Sequence, residues 1–346
     1  MPDEQLIRLE NAPEIPGLSF RPFRGQGDYG CIADVLTISQ RADHYERSVS
    51  AEYIAKVFAT SLTNCDPATD MLMAEVGDKL VGYIRGWWEA ESPSLYLYKH
   101  LAVLLPAWRR QGIGHVLLNW MEGRLKNIAA AHPPEASKFF QVSVSQFQEN
   151  TAILLERAGY QPARYFFEMV RPSLEDIPDL PLPDGLEVRP VTPDQYRAIW
   201  DSANGSGQEE WGSSEPTEAA YQEWLKDDLF QPSLWQIAWD TRTGNPVGHV
   251  LTYIHHEENR QFDRKRGYTE GVGVSREWRR RGLARALICL SLQAQKVAGM
   301  TESALVADSE STSGVTRLYE SCGFQIIKRD TVYRKPLYPG SKPGQV

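Results

Sequence analysis

The sequence repeats itself, and the repeat constrains the fold more than any other feature. GLSFRPF begins at Gly17 and GLEVRPV at Gly185, 168 residues apart. WRRQGIGHVLL begins at Trp108 and WRRRGLARALI at Trp278, 170 apart. LLERAGYQ begins at Leu154 and LYESCGFQ at Leu318, 164 apart. Each half then ends in a strand-like segment closing on Arg171-Pro172 or Lys335-Pro336. Four matches in one order at nearly constant offset mean a duplicated domain, with a period far too long for a solenoid. A chain of 346 residues accommodates two domains of ordinary size.

The proline-rich stretch from Pro172 to Gly185 marks the boundary. Proline fixes φ and removes a backbone donor, so an extended, semi-rigid connector is expected there. The sequence therefore divides into an N-terminal domain over 1–171, a linker over 172–185 and a C-terminal domain over 186–346.

Within each half, strand and helix patterns alternate. Leu18 to Pro22 reads as a first strand, and Asp70 to Trp88 as a hairpin turning at Gly77-Asp78. Trp235 to Ile254 does the same in the second half, turning near Thr243-Gly244-Asn245. Tyr96 to Leu105 and Tyr268 to Val274 read as strands that run into an Arg/Gly-rich turn and then a helix. Ile113, Val116, Leu117, Trp120, Met121 and Leu125 recur at helical spacing, as do Leu283, Ala286, Leu287, Leu290 and Leu292. A further strand (Phe139–Val144; Ala304–Val306), a short helix and a last strand follow. The expected fold class is α/β with a mixed sheet, built twice.

A formal net charge of −8 argues against general nucleic-acid binding, which needs a basic face to neutralise phosphates. No run of about 18 apolar residues predicts a membrane span. The acidic N-terminus MPDEQLIRLE does not read as a signal peptide, so a cytoplasmic location is expected. Cys31, Cys65, Cys289 and Cys322 form no CxxC pair and read as buried fillers. His255-His256-Glu257-Glu258 lacks metal-ligand spacing and reads as a loop, and no metal site is predicted. The acidic stretch from Asn204 to Glu215, with Glu209, Glu210, Trp211 and Glu215, reads either as a solvated loop or as the border of a cationic acceptor.

The chemistry-bearing motif is a strand, then Arg-x-x-Gly-x-Gly/Ala, then a helix. It stands as Arg279-Arg280-Arg281-Gly282-Leu283-Ala284 and as Arg109-Arg110-Gln111-Gly112-Ile113-Gly114. A helix N-terminus presents free N–H groups and the positive end of its dipole. Glycine or alanine lets that backbone approach a pyrophosphate. The spacing is neither that of GxGxxG nor that of the P-loop, and a single copy would equally suit an ordinary basic helix start.

Val274-x-x-x-x-Arg279-x-x-Gly282-x-Ala284, followed by Leu318-Tyr319-x-x-x-Gly323-Phe324, resembles the GNAT (GCN5-related) acyl-CoA N-acyltransferases. Leu104…Arg109-x-x-Gly112-x-Gly114…Leu155-x-x-x-Gly159-Tyr160 is similar to a second copy. The tandem layout resembles the mycothiol synthase-like two-domain acetyltransferases. The resemblance implies a sheet that splays between its fourth and fifth strands. Acetyl-CoA would lie in the opening as co-substrate, with its pyrophosphate on Arg279, Arg280, Arg281, Gly282, Leu283 and Ala284 and its pantetheine arm along Val272 and Val274. If the first half also holds it, the corresponding residues are Leu104, Arg109, Gln111, Gly112 and Gly114. A splayed strand has unpaired N–H and C=O groups that an amide-bearing arm can satisfy.

The resemblance implies direct acetyl transfer to an amine in a ternary complex, with no metal and no covalent intermediate. A tyrosine acts as general acid, here Tyr319, where the first half has Leu155. A carboxylate on the fourth strand often acts as base. Glu270 lies nine residues before Arg279, and period two places it on the face of Val272 and Val274. At an offset of 170 its first-half counterpart is His100. The plain alternatives are an edge carboxylate and a core tyrosine. Family members often carry Asn seven residues before the tyrosine, and Thr312 stands there. The expectation is a catalytic C-terminal domain beside a degenerate N-terminal one, acting on a small-molecule or peptide amine as monomer or homodimer. The alternatives are a non-catalytic acyl-CoA-binding or interaction module, and transfer from a different acyl-CoA.

Overall fold

The computed structural model describes residues 6–44, 49–60, 62–207, 217–308 and 314–338. The chain forms two compact units, and each is built on the same plan.

The first unit comprises residues 1–164 and 331–346. Its elements are β1 (Leu18–Arg21), α1 (Tyr29–Ala42), α2 (Ala51–Thr60), α3 (Pro67–Asp70), β2 (Met71–Val76), β3 (Lys79–Ser92), β4 (Leu95–Leu104), α4 (Ile113–Ala129), β5 (Ser137–Ser145), α5 (Glu149–Arg157) and the start of β6 (Gln161–Arg171). β1 to β4 form an antiparallel meander, and β4 pairs with β5 in parallel. The meander turns where expected, at Gly77-Asp78, with Gly77 at φ +60. Ile113, Val116, Leu117, Met121 and Leu125 are all buried on one face of α4, against Ile84, Tyr98 and Phe140 of the sheet. That period-3.6 stripe is what makes the segment a helix that must cover a sheet.

The second unit comprises residues 165–330. It contains β7 (Leu186–Val188), α6 (Tyr196–Gly207), α7 (Glu218–Trp224), β8 (Gln236–Asp240), β9 (Pro246–Val250), α8 (His256–Gln261), β10 (Arg266–Tyr268), β11 (Gly273–Val274), α9 (Leu283–Val297), β12 (Glu302–Asp308), α10 (Val315–Ser321) and the first part of β13 (Gln325–Pro336). β7, β8, β9 and β11 form an antiparallel sheet, and β10 pairs with β12 in parallel. Leu283, Leu287, Ile288 and Leu292 of α9 are buried against Ala238, Val247, Val250 and Leu305.

Two expectations need correction. The units do not divide at the linker, because their last strands are exchanged. Residues 166–171 of β6 pair with β12 of the second unit, from Asp308↔Phe166 to Ser303↔Arg171. Thr331–Pro336 of β13 belongs to the first unit, where Lys335 Nζ donates to Glu122 at 2.7 Å and Arg334 Nε to Gln141 at 2.7 Å. The proline-rich stretch, expected as an extended, semi-rigid connector, also packs on a core. Leu174 is fully buried in the second core, and Ile177 and Leu182 pack on it. The Arg171 guanidinium donates to the carbonyls of Ser173, Asp176 and Cys322. Apolar side chains interleaved with the prolines gain more by burial than by remaining in solvent.

Smaller expectations shift too. His255-His256-Glu257-Glu258 opens helix α8 rather than a loop, with His255 Nδ1 accepting from the Glu258 amide at 3.1 Å. Cys289 and Cys322 are buried, but Cys65 is half-buried and Cys31 exposed on α1. Glu209, Glu210, Trp211, Glu215 and Thr312 lie outside the described residues.

Candidate acyl-CoA site

Both Arg/Gly turns adopt one backbone conformation. Arg110 and Arg280 sit at φ +63 and +60, and Gly112 and Gly282 at φ +91 and +85. Each glycine is the left-handed N-cap of the following helix, and no side chain caps that end. A Cβ is disfavoured at such φ values, which accounts for glycine there. The helix amides remain available to an anion.

The surroundings of the two turns differ. In the first unit, Arg109 donates to the Asp43 carboxylate at 2.5 and 2.9 Å and to the Leu104 carbonyl at 3.1 Å. Gln111 Nε2 donates to the Ala107 carbonyl at 2.8 Å. Pro13 lies 3.4 Å from where a Gly112 Cβ would stand, and Leu154 lies 3.3 Å from a Gly114 Cβ. In the second unit, nothing lies within 4 Å of a Gly282 Cβ. Arg279, Arg280 and Arg281 are exposed. Arg279 Nε donates to the Val274 carbonyl at 3.1 Å, and the Arg281 guanidinium lies over the Trp278 ring at 4.9 Å. Leu283 anchors the turn in the core, and Ala284 is half-buried. The second turn is thus an open, cationic helix start that fits a pyrophosphate.

Both sheets part at one equivalent point. The β4–β5 ladder runs to Lys99↔Gln141, while β3–β4 continues to Gly82↔Leu104. The β10–β12 ladder runs to Tyr268↔Ala304, with the Thr269 amide still reaching the Ala304 carbonyl at 2.9 Å. Beyond it the chain pairs with β9 instead, through Gly273↔His249 and Val274↔Gly248. Val272 and Val274 pack against the second core.

The second unit adds one residue at this parting. Val274↔Gly248 and Tyr268↔Tyr253 are separated by six residues on one side and five on the other. The first unit has five on both, from Leu104↔Gly82 to Lys99↔Trp87. The extra residue is a bulge at Gly271, φ +54, whose Cβ would stand 3.1 Å from Leu251. The bulge corrects two sequence arguments. Period two does not run unbroken from Glu270 to Val272. Counted through the register, His100 matches Thr269, not Glu270, and Leu101 matches Glu270.

Glu270 is half-buried at the parting. Its backbone carbonyl accepts from the Leu251 amide at 2.8 Å, and its Oε1 accepts from the Val306 amide of β12 at 3.3 Å. The carboxylate thus bridges strands whose main chains have separated. Tyr253 and Tyr268 stack beside it, ring centroids 4.9 Å apart at 15°. Burial and the Glu258 carboxylate push the Tyr268 phenol up to about 12; burial and the charge of Glu270 raise that of Tyr253. Arg264 and the Tyr268 hydroxyl both donate to Glu258, and Arg266 donates to Glu302, so these cations serve ion pairs.

Tyr319 lies on α10, which packs on β12. It is 7% exposed, with its ring edge-on to Phe324 at 6.0 Å. Leu155, its first-half match, is buried on α5. In the first unit, His100 Nε2 instead lies 3.0 Å from the Tyr160 hydroxyl, both buried, and burial pushes His100 down to about 3. There the histidine meets the Tyr160 hydroxyl, which is also bonded to the buried Glu122 carboxylate, itself paired with Lys335.

Among the described residues, no cluster of three or more His, Cys, Asp or Glu could hold a metal, and no helix is long and apolar enough to cross a membrane.

Comparison with known proteins agrees with this geometry. Residues 196–324 match the Acetyltransferase (GNAT) family, and residues 67–162 match an Acetyltransferase (GNAT) domain. A protein named mycothiol acetyltransferase from Geodermatophilus obscurus is 26% identical over 77% of this chain and 82% of its own length. Another of that name, from Pseudarthrobacter chlorophenolicus, is 29% identical over 54% of this chain and 57% of its own. A GCN5-related N-acetyltransferase from Sphaerobacter thermophilus shares the fold across 98% of this chain and all of its own, at a TM-score of 0.75 and 24% identity. So does a tandem GNAT protein from the clavulanic acid biosynthesis pathway, across 94% of this chain and all of its own, at a TM-score of 0.65 and 14% identity. The chain belongs to the GNAT acetyltransferase family and carries two of its domains in tandem. It is an N-acetyltransferase.

Proposed function

We propose that the second unit catalyses transfer of an acetyl group from acetyl-CoA to the amine of a small molecule, while the first unit retains the fold without the chemistry. The observation that carries this reading is the bulged parting of the second sheet, with Glu270 beside it and an open cationic helix start beyond it. The α9 amides, with Arg280 and Arg281, hold the pyrophosphate. The backbone of Val272–Val274 holds the pantetheine amides. Acetyl-CoA supplies an activated thioester.

Glu270 takes the proton that the acceptor ammonium must lose before its nitrogen can attack. Tyr319 donates its hydroxyl proton to the departing thiolate. The N–C bond forms as the S–C bond breaks; the second N–H proton then leaves the acylated nitrogen and restores the Tyr319 phenolate, and the proton held by Glu270 passes to solvent. The stacked Tyr253–Tyr268 pair flanked by Glu258 and Glu270 favours a cationic amine on a flat or ring-shaped scaffold. The relatives named for mycothiol acetylation support a small-molecule amine.

The test is calorimetric titration with acetyl-CoA, on the protein as it stands and on Gly282→Glu. One site, lost in the variant, is expected. Absence of binding to the unmodified protein would overturn the reading. A second site that survives in the variant would show that the first unit also holds the co-substrate.

A further inference from the structure

Beneath the parting of the second sheet lies a polar layer that the reaction above does not use. Thr252, Ser291, Gln295 and Ser303 are fully buried, and Thr269 is 1% exposed. Thr252 Oγ1 lies 2.6 Å from Ser291 Oγ, and Thr269 Oγ1 lies 2.9 Å from Ser303 Oγ. Gln295 Nε2 donates to Thr269 Oγ1 at 2.9 Å and to Ser291 Oγ at 3.1 Å. The Gln295 amide fills the space over Gly267, where a Cβ would stand 2.3 Å from Oε1.

The first unit builds the same layer without this network. Counting along α4 and α9 from Gly112 and Gly282 matches Met121 with Ser291 and Leu125 with Gln295. The strand registers match Gly86 with Thr252, Tyr98 with Gly267, His100 with Thr269 and Phe140 with Ser303. Space is redistributed to suit: the Met121 sulfur lies 2.3 Å from a Gly86 Cβ, as the Gln295 amide does over Gly267. The fold therefore does not require hydroxyls here. The polar version also carries a cost, because Gln295 Oε1 has no hydrogen-bond partner. An arrangement unfavourable to stability, kept in the unit with Glu270 and Tyr319, points to a role in the site.

We infer that Thr269, Ser291 and Gln295 are positioning residues that fix where the second sheet parts, and thereby place Glu270. Thr269 is the last residue whose amide still reaches β12, and Glu270 is the next. The Thr269 hydroxyl meets Gln295 from α9 and Ser303 from β12 at once. Helix, departing strand and remaining strand are tied at one atom. The following bulge then starts from a fixed point, and the Glu270 carboxylate is held over the Val306 amide. The inference rests on Glu270 acting as the base.

The experiment compares Thr269→Val, which removes the hydroxyl at nearly constant volume, with Thr269→Ser, which keeps it. Hydrogen exchange at the Val306 amide is followed by NMR, and CoA release is followed with acetyl-CoA and glucosamine as probe amine. Thr269→Val is expected to speed Val306 exchange by about tenfold or more and to lower kcat about tenfold. It should leave the acetyl-CoA affinity and the exchange of Leu305 unchanged. Thr269→Ser is expected to restore both kcat and Val306 protection. Unchanged Val306 exchange in Thr269→Val overturns the inference, as does an equal loss of protection throughout β12 in both variants. Glu270→Gln separates the two readings. If it leaves turnover intact, Glu270 is not the base, while Val306 exchange still reports whether the network holds the strand.

Discussion

The two units share a turn, a parting sheet and a helix over it, yet their equivalent positions carry opposite chemistry. In the first, the turn arginine Arg109 is held by Asp43, Pro13 lies against the turn glycine, and a buried His100–Tyr160 pair sits beside the parting. In the second, the glycine faces open space, the arginines are exposed and a carboxylate bridges the parted strands. One backbone plan thus supports either a turn and parting filled by the unit's own side chains or an open, cationic turn beside a bridged parting. The side chains at about ten matched positions decide which.

The largest expected effect breaks the comparison at the turns. Gly282→Glu places a Cβ in left-handed backbone and a negative charge where a pyrophosphate would sit. Acetyl-CoA binding should weaken by more than about a hundredfold, whereas Gly112→Glu should leave the second unit's affinity unchanged. Equal losses in calorimetry would remove the distinction between the turns.

Next in size is the acid. Tyr319→Phe should lower kcat by about a hundredfold with little change in acetyl-CoA affinity, within the range for losing a general acid. Leu155→Ala at the matched site should instead cost about 2–5 kcal/mol of stability as a buried cavity, with turnover retained below the melting transition. Steady-state kinetics beside thermal denaturation separates the two. Equal kinetic losses would mean that Tyr319 is a packing residue like its counterpart.

A smaller effect concerns the arginines. Arg280→Ala should weaken acetyl-CoA binding several-fold, and more at low salt than at high salt, because an exposed cation is screened. Arg109→Ala should leave that affinity alone and lower the melting temperature, since Asp43 is 5% exposed and would lose its ion-pair partner, keeping the Gln148 amide at 3.4 Å.

The smallest effect is shared by both units. Burial pushes His100 down to about 3 and His249 to about 4, below the ordinary value near 6.5. The unfolded chain therefore binds more protons than the folded one between about pH 6.5 and 4. Stability is full above that window and falls as pH drops through it. The melting temperature should decline by several degrees from pH 7 to 5, and His249→Gln should flatten that slope. An unchanged slope would mean that other groups govern acid sensitivity.

Much of this was legible in the chain. The duplication, the hairpin at Gly77-Asp78, the helices after both turns and the Arg-x-x-Gly motif follow from repeats, period and local glycine chemistry. The contrast of Tyr319 with Leu155 needed only an alignment of the halves. The Glu270 alignment failed because a constant offset cannot register a one-residue bulge, although Gly271 was its only local sign. The polar layer had a sign too: Ser291 and Gln295 stand at i and i+4 on the α9 core face, where α4 has Met121 and Leu125.

The sequence by itself determined that there are two copies of one mixed α/β plan and which copy has a tyrosine where the other has a leucine, because periodicity, turn residues and side-chain identity are local properties. Only the tertiary structure decided which strands complete each unit, where the proline-rich segment packs, and that Glu270 rather than a main-chain group meets Val306. Those outcomes depend on pairing between segments far apart in the chain. A strand's edge is satisfied by whichever partner burial and register bring to it, and no local signal names that partner.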